Sequence, residues 1–396
     1  MDQSVVEHYA SAGLDNANVQ NYLDSATSAT WRFVRLNPRF PVDEVLSQLT
    51  AEIGVEPVRV PWLPENARFF AIPGATTIKN LSTYEEGKIY GMDCSSGAAV
   101  AALGLNNNTN NVSGETRVLD LCCCPGAKLC MIVDELLGLR MEVVGVDISD
   151  SRLNISKKLL RKYIINTDAN TLVKLFHADG TTFPNPKSDS LVFDSRAEAQ
   201  ETASSKGRKR MNKSARAREK KRLKELGGEK ETGKIEKKEK KTDEPAARGS
   251  DSLFDYVLVD AECSTDGALS HLKHKNKSLK SSETVTTTIK KKLDDEGNLT
   301  ALQLSLLNAG FKNLRVGGTI VYATCSLSVK QNEGVVQAFI EEHKGVAEAV
   351  PIDFGGQMTP AVTGPHHSLR FSPTLTTEVG GVISGGGFFL CKFIKK

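Results

Sequence analysis

Two kinds of hydrophobic pattern follow one another along the chain. Between 4 and 26, apolar and polar residues mix with weak helical period. The β-branched and aromatic run 30–38 reads as a strand stopped by Pro38. Residues 41–54 read as a helix, because apolar positions 42, 45, 46, 49 and 53 recur at helical spacing between Pro41 and Gly54. Stretches 55–64 and 68–72 look like short strands, so 1–75 is predicted to form a small α+β module. From residue 115 the pattern changes to short, nearly continuous apolar runs at 116–123, 141–148, 171–179, 254–262 and 318–326. Each is long enough for a strand buried on both faces. Helical patterns at 127–138, 150–163 and 299–314 lie between them. Strand and helix alternating at this spacing predict an α/β fold with a mostly parallel sheet covered on both faces. The run 388–396 supplies a last strand, whose expected partner is 346–354 or 369–376. No internal repeat is visible.

One segment breaks the alternation. Residues 194–250 are rich in Lys, Glu, Arg and Ala and poor in large apolar side chains, too few to offset the entropy of ordering. A disordered or solitary-helix insertion is expected there. Net charge over the chain is +3, but 196–248 alone holds 19 Lys/Arg and 10 Asp/Glu, leaving −6 for the remainder. The positive charge therefore belongs to the insertion. Its clusters at 207–210 and 218–224 suit a solvated spacer or a nucleic-acid-binding or nuclear-import segment.

Composition narrows the setting. The longest stretch without a polar residue is nine residues, 97–105, whereas a membrane-spanning helix needs about 20, so no membrane partner is expected. The first 30 residues hold four acidic side chains and no Lys or Arg, which argues against a signal peptide or an Arg-rich transit peptide. An intracellular protein of the cytoplasm, nucleus or nucleolus is expected, with its eight cysteines reduced. There is no C-x-x-C pair, and three adjacent cysteines cannot all reach one metal from a strand, so no metal site is expected. His366-His367 reads as surface loop.

Three places along the predicted sheet edge could carry chemistry. The first is the loop 120–128, DLCCCPGAK, leading from a strand into a helix N-terminus. Ligands sit at such turns because backbone N–H groups point outward, and Pro125-Gly126-Ala127 lets the backbone come close. It is not a G-x-G-x-x-G, so a dinucleotide is not the first choice. The second is a pair of carboxylates, Asp147 and Asp179, closing two consecutive strands. An acid in the first position can accept both ribose hydroxyls, so together they point to a nucleoside pocket. The third joins Asp260 and Cys263, at the end of 254–262, to Cys325, at the end of 318–325. If these strands are neighbours, about 4.8 Å apart, two thiols 62 residues apart in sequence face one cleft. A buried Cys is usually inert packing, but two at the functional edge of one sheet are hard to explain that way.

These residues also carry a family likeness. The chain resembles the RsmB/NOP-type (Sun family) RNA cytosine-5 methyltransferases. DLCCCPGAK is similar to that family's D-x-C-A-A-P-G-G-K loop, VDIS with Arg152 to its ribose motif, and HADG (177–180) to its adenine-side motif. VLVDAECS (257–264) resembles D-A-P-C-S, and 317–336 resembles G-G-x-x-V-Y-S-T-C-S…E-N-E. FVRLNP, EEGKIYGMDCSS (85–96), RFSP (370–373) and GGFF (386–389) extend the likeness over nearly the whole chain outside 194–250.

The resemblance implies a Rossmann-like class I methyltransferase sheet of about seven strands, spanning 76–396, with 1–75 as an RNA-binding module. It implies S-adenosylmethionine over Cys122, Cys123, Cys124, Pro125, Gly126, Ala127 and Lys128, with Asp147 and Arg152 at the ribose, Asp179 near the adenine and Asp260 closing the site. It implies Cys325 as the thiol that adds to cytosine C6 and Cys263 as the thiol of the release step. Lys128 would favour the Cys325 thiolate and Asp260 would hydrogen-bond N3. RNA, either tRNA or rRNA, is the implied partner of a monomeric enzyme. Arg32, Arg35 and Arg39 are candidates for its backbone, or a solvated strand face. Two departures from the family pattern matter. Glu262 stands for Pro and is expected to raise the pKa of Cys263, and Ala127 stands for Gly. A catalytically inactive RNA-binding or ribosome-assembly factor is the alternative. A DNA cytosine-5 methyltransferase is disfavoured, because the cysteine of 260–264 follows Glu and no E-N-V occurs.

Overall fold

A computed structural model of the chain describes residues 3–11, 31–105, 114–164, 170–200, 253–268, 282–355, 361–371 and 386–396. Most of the predicted basic insertion, 201–252, lies outside the described residues.

The N-terminal part builds a four-stranded antiparallel sheet from β1 (Trp31–Leu36), β2 (Val58–Arg59), β3 (Phe69–Pro73) and β4 (Ile89–Gly91), in the order β2-β3-β1-β4. The helix Val42–Ile53 packs on it through Val45 and Leu49. It ends where Gly54 takes a left-handed φ of 76° and its N–H closes back on the Thr50 carbonyl, the usual glycine stop. The sheet's fourth strand comes from beyond residue 75, and the other face of β1 and β3 shares a core with the larger sheet through Phe33, Phe69 and Ala71.

The larger sheet has ten strands where about seven are expected. Five are parallel: β5 (Thr116–Asp120), β6 (Met141–Asp147), β7 (Thr171–His177), β9 (Phe254–Asp260) and β10 (Leu314–Thr324). The antiparallel β8 (Ser190–Asp194) and β14 (Phe388–Lys395) extend the two sides and complete seven. The three additional strands are short: β11 (Ala347–Ala349), β12 (Ala361–Thr363) and β13 (Leu369–Phe371). They lie beyond the free side of β14, with β11 and β13 pairing to it directly. Both predicted partners of the last strand are thus used, but its longest pairing is with β10.

The parallel strands are buried on both faces, as their unbroken apolar runs require. Two cores result. One lies under the helices Cys94–Ala101 and Ala127–Glu135, the other under Glu296–Asn313 and Val335–Glu342. The order β7-β6-β5-β9-β10 reverses direction at β5 and β9. At such a reversal the loops leaving neighbouring strands diverge and open a crevice at the carboxyl ends.

Candidate active site

That crevice is a cavity of about 490 Å³, within the range of small-ligand sites. Its wall takes in Cys122, Cys124, Pro125 and Lys128 after β5, Asp147 and Arg152 after β6, Asp179 after β7, Asp260 and Cys263 after β9, and Cys325 after β10. Three predicted positions do not line it. Cys123 turns under the sheet, close enough to Gly145 that a Cβ there would meet its sulfur at 2.9 Å. Ala127 packs into the core, and Gly126 faces Ser156, with φ at 107°. A Cβ on Gly126 would approach Ser156 to 3.2 Å, so this position needs glycine on both counts.

Asp147 is buried, and its carboxylate accepts the Ser149 N–H at 2.9 Å and the Cys124 N–H at 3.3 Å. Arg152 bridges the same two segments, its guanidinium 3.4 Å from Asp147 and donating to the Cys124 carbonyl. These bonds fix the loop and the strand end relative to each other. A carboxylate has about four acceptor positions, so Asp147 retains room for a ribose hydroxyl. Asp179 is differently occupied. Its Oδ1 accepts both the N–H and the hydroxyl of Thr181, which makes it first of all the pivot of a turn.

Lys128 and Asp260 form an ion pair at 2.7 Å, and Lys128 also donates to the Ser96 hydroxyl at 3.2 Å. Burial pulls the Lys128 pKa down, but Asp260, Asp120 and Cys325 outweigh it, so the ammonium is kept. Asp120 lies beneath them without a cation of its own. Burial, and then the charge of Asp260, push its pKa up to about 7. Burial also holds the Cys122 thiol well above the ordinary range.

The two thiols meet. β9 and β10 are parallel neighbours in register, Asp260 beside Ala323, and Sγ of Cys263 lies 3.2 Å from Sγ of Cys325. Their acidities depart from expectation. The hydrogen bond from Cys325 is the largest influence on Cys263 and draws its pKa down, and the carboxylates that raise it most are Asp260 and Asp266 rather than Glu262. That same bond, together with burial, pushes Cys325 up, and Lys128 only partly opposes this. Of the pair, Cys263 is the more acidic thiol.

Several residues around the thiols had no role assigned from sequence. The Gln331 amide oxygen accepts the Ser264 N–H at 3.1 Å, and Asn332 receives the Thr324 hydroxyl and donates to the Ser326 carbonyl at 2.9 Å. Both sit in a single π-helical turn, Lys330–Gly334, a form frequent at functional sites. Their signal in the sequence is the K-Q-N-E-G run within 317–336. Asp93, Ser96 and Phe388 also line the cavity.

The arginines expected at an RNA backbone behave otherwise. Arg35 is 1% exposed, donates to Tyr90 and the Ala67 carbonyl, and pairs with Asp134 of the helix Ala127–Glu135. Burial lowers its pKa, but Tyr90, Asp134 and Glu135 more than restore the charge. Arg39 reaches Asp134 as well, and Arg32 donates to the Thr76 carbonyl at 2.8 Å. Arg35 and Arg39 are therefore a seam between the small sheet and the larger one, because a carboxylate faces them at close range.

A reversed parallel sheet with acids closing its strands defines a class I, Rossmann-like methyltransferase fold. Two solved structures from Pyrococcus horikoshii share it: a methyltransferase homolog protein (TM-score 0.56, 18% identity, 100% of each chain) and NSun6 with SFG (TM-score 0.59, 15% identity, 95% of this chain and 94% of that one). Residues 209–380 match the family model of the 16S rRNA methyltransferases RsmB/F. A ribosomal RNA small subunit methyltransferase B from Pseudomonas syringae is 32% identical over 142 residues, 36% of this chain and 27% of its own. A tRNA (cytosine(34)-C(5))-methyltransferase of Drosophila melanogaster is 32% identical over 123 residues, 31% of this chain and 14% of its own. The chain thus spans about a quarter or less of the length of these two curated relatives. These matches bear out the Sun-family likeness, and S-adenosylmethionine is the cofactor that the class brings. Asp147 with an open acceptor position and the glycine-dependent loop fit that group. Among the described residues no helix is long and apolar enough to cross a membrane, and no group of three or more His, Cys, Asp or Glu could hold a metal.

Proposed function

We propose that the protein transfers a methyl group from S-adenosylmethionine to C5 of a cytosine in RNA. The observation that carries this reading is the 3.2 Å contact of Cys263 and Cys325 in the wall of the cavity that also holds Asp147, Lys128 and Asp260. S-adenosylmethionine, when bound, supplies a methyl group on a sulfonium, an electrophile that cytosine C5 attacks poorly by itself. Asp147 and Arg152 orient its ribose end, and Ser96 with Asp260 holds Lys128 over the thiol side of the cavity.

Cys325 is the nucleophile. It adds to C6 as its thiolate, which Lys128 favours, the thiol proton having passed to solvent. The C5–C6 electron pair then resides on C5, and the ammonium of Lys128, held by Asp260, stabilises the charge that spreads to N3. Once C5 carries the methyl group, its hydrogen leaves as a proton, the double bond re-forms and Cys325 is expelled. Cys263 assists that release. The base reaches the thiols unstacked from any helix, since C6 is shielded within one.

The curated relatives are named for rRNA and tRNA, and we propose tRNA as substrate ahead of rRNA. The test is transfer of labelled methyl to size-fractionated cellular RNA, followed by nucleoside analysis. Label in 5-methylcytidine that Cys325→Ala abolishes supports the reading. Label in another nucleoside overturns the C5 chemistry. No binding of S-adenosylmethionine by calorimetry favours an inactive RNA-binding factor.

A further inference from the structure

Each thiol is followed by a serine, and the two serines meet at one buried carboxylate. Asp266 is fully buried. Its Oδ1 accepts the hydroxyl of Ser264 and, at 3.1 Å, that of Ser326, and the two hydroxyls lie 2.6 Å apart. Its Oδ2 accepts the Leu327 N–H at 3.2 Å and faces His8 Nε2 at 2.8 Å. The next residue continues the tie: the Gly267 N–H donates to the Cys325 carbonyl at 3.0 Å, and a Cβ on Gly267 would meet that oxygen at 2.9 Å. Between the thiol and the carboxylate, Thr265 is held at φ 63°, a conformation that β-branched residues avoid unless their surroundings impose it.

We infer that Asp266 is the positioning residue of the two-thiol centre: its carboxylate clamps Ser264 and Ser326 together and thereby holds Cys263 and Cys325 in contact, with His8 of the helix Gln3–Ser11 seating the clamp from the N-terminal end of the chain. The inference deepens the proposed function and rests on it for its catalytic meaning, but the geometric claim stands apart from turnover. Asp266 is not part of the cavity wall and acts through the residues next to both thiols. His8 and Tyr9 bring in the N-terminal helix, the Tyr9 hydroxyl donating to the Asp266 carbonyl at 3.4 Å.

The test reads the contact directly. Alkylation of Cys263 by iodoacetamide, followed by peptide mass spectrometry across pH, reports its acidity without RNA or cofactor. The charged groups facing Cys263 are Asp260 and Asp266, both of which raise its pKa, while Lys292 donates to its carbonyl at 3.3 Å. Removing the Asp266 charge by Asp266→Asn therefore lowers the alkylation midpoint if the residue acts only through its field. If it acts as a clamp, the midpoint rises by about one pH unit, because the hydrogen bond from Cys325 is lost. Cys325→Ala, which removes that donor outright, marks the full upward shift. The double variant Ser264→Ala/Ser326→Ala keeps the carboxylate and is expected to shift upward too, so the inference remains testable if Asp266→Asn folds poorly.

In turnover, Asp266→Asn is expected to lose about a hundredfold in kcat with little change in KM for S-adenosylmethionine. His8→Ala loses about fivefold, the worth of one hydrogen bond. A downward or absent shift in both Asp266→Asn and the double serine variant, beside an upward shift in Cys325→Ala, overturns the clamp. Failure of the proposed function reads differently: the alkylation shifts persist while wild-type protein methylates no cytosine.

Discussion

Two buried carboxylates in this molecule do opposite kinds of work. At the seam between the sheets, Asp134 faces the guanidinium groups of Arg35 and Arg39. Behind the thiols, Asp266 faces serine hydroxyls, a backbone N–H and an imidazole. Neither lines the cavity. The difference lies in what their partners are attached to. Asp134 joins one layer to another through whole charges, an arrangement whose partners are costly to remove singly. Asp266 joins residues adjacent to two reactive sulfurs, through hydrogen bonds to hydroxyls and a backbone N–H. Burial of a charge thus says little about function until the next covalent neighbour of each partner is named.

The comparison breaks first at the seam. Arg35→Ala strands Asp134 and is expected to cost about 3–5 kcal/mol of stability in urea unfolding, with turnover per folded molecule largely kept. A loss under about 1 kcal/mol would make the seam an ordinary surface pair.

Asp120 sharpens the contrast, being buried with no cation to itself. Its pKa is raised from 3.8 to about 7, so folding takes up a proton between those values. Stability from this group is present at low pH, is lost as pH rises through that window and does not return above it. The full effect is on the order of 4 kcal/mol. Asp120→Asn is expected to flatten this decline in urea titrations at pH 5 and pH 8. An unchanged slope would mean that Asp120 is already ionised in the folded protein.

Asp266→Asn comes next. Its loss in turnover, about a hundredfold, is expected to exceed what its stability loss explains. Equal losses in turnover and in folded fraction would reduce Asp266 to the same kind of role as Asp134. The smallest effect is that of Arg39→Ala. Its side chain is 22% exposed and Asp134 keeps Arg35, so about 1 kcal/mol is expected in the same unfolding assay.

Much of this was legible in the sequence. Buried strands announce themselves by unbroken apolar runs, and β5, β6, β7, β9 and β10 fall on the predicted stretches. The site residues at their carboxyl ends were legible for the same reason, since a strand end fixes where the next side chains lie. Other elements were hidden. The helix Ser282–Asp294 contains Val285 and a Thr286–Thr288 run, residues of high strand propensity, and no periodicity outweighs them. The small sheet's fourth strand, only three residues long, pairs with β1 more than 50 residues earlier, which no local pattern reveals. Arg35 carried the charge of an RNA contact, and only the approach of Asp134, 99 residues away, makes it a seam. The tie between His8 and Asp266 spans 258 residues and leaves no trace in either neighbourhood.

The central claim is that Cys325 attacks one pyrimidine and Cys263 is needed to let it go. The most direct measurement mixes substrate RNA and S-adenosylmethionine with Cys263→Ala, Cys325→Ala and the double variant, and then separates the products on denaturing gels. The account predicts a protein–RNA adduct that survives denaturation in Cys263→Ala alone and disappears when Cys325 is also replaced. An adduct retained in the double variant, or formed by Cys325→Ala instead, would contradict it.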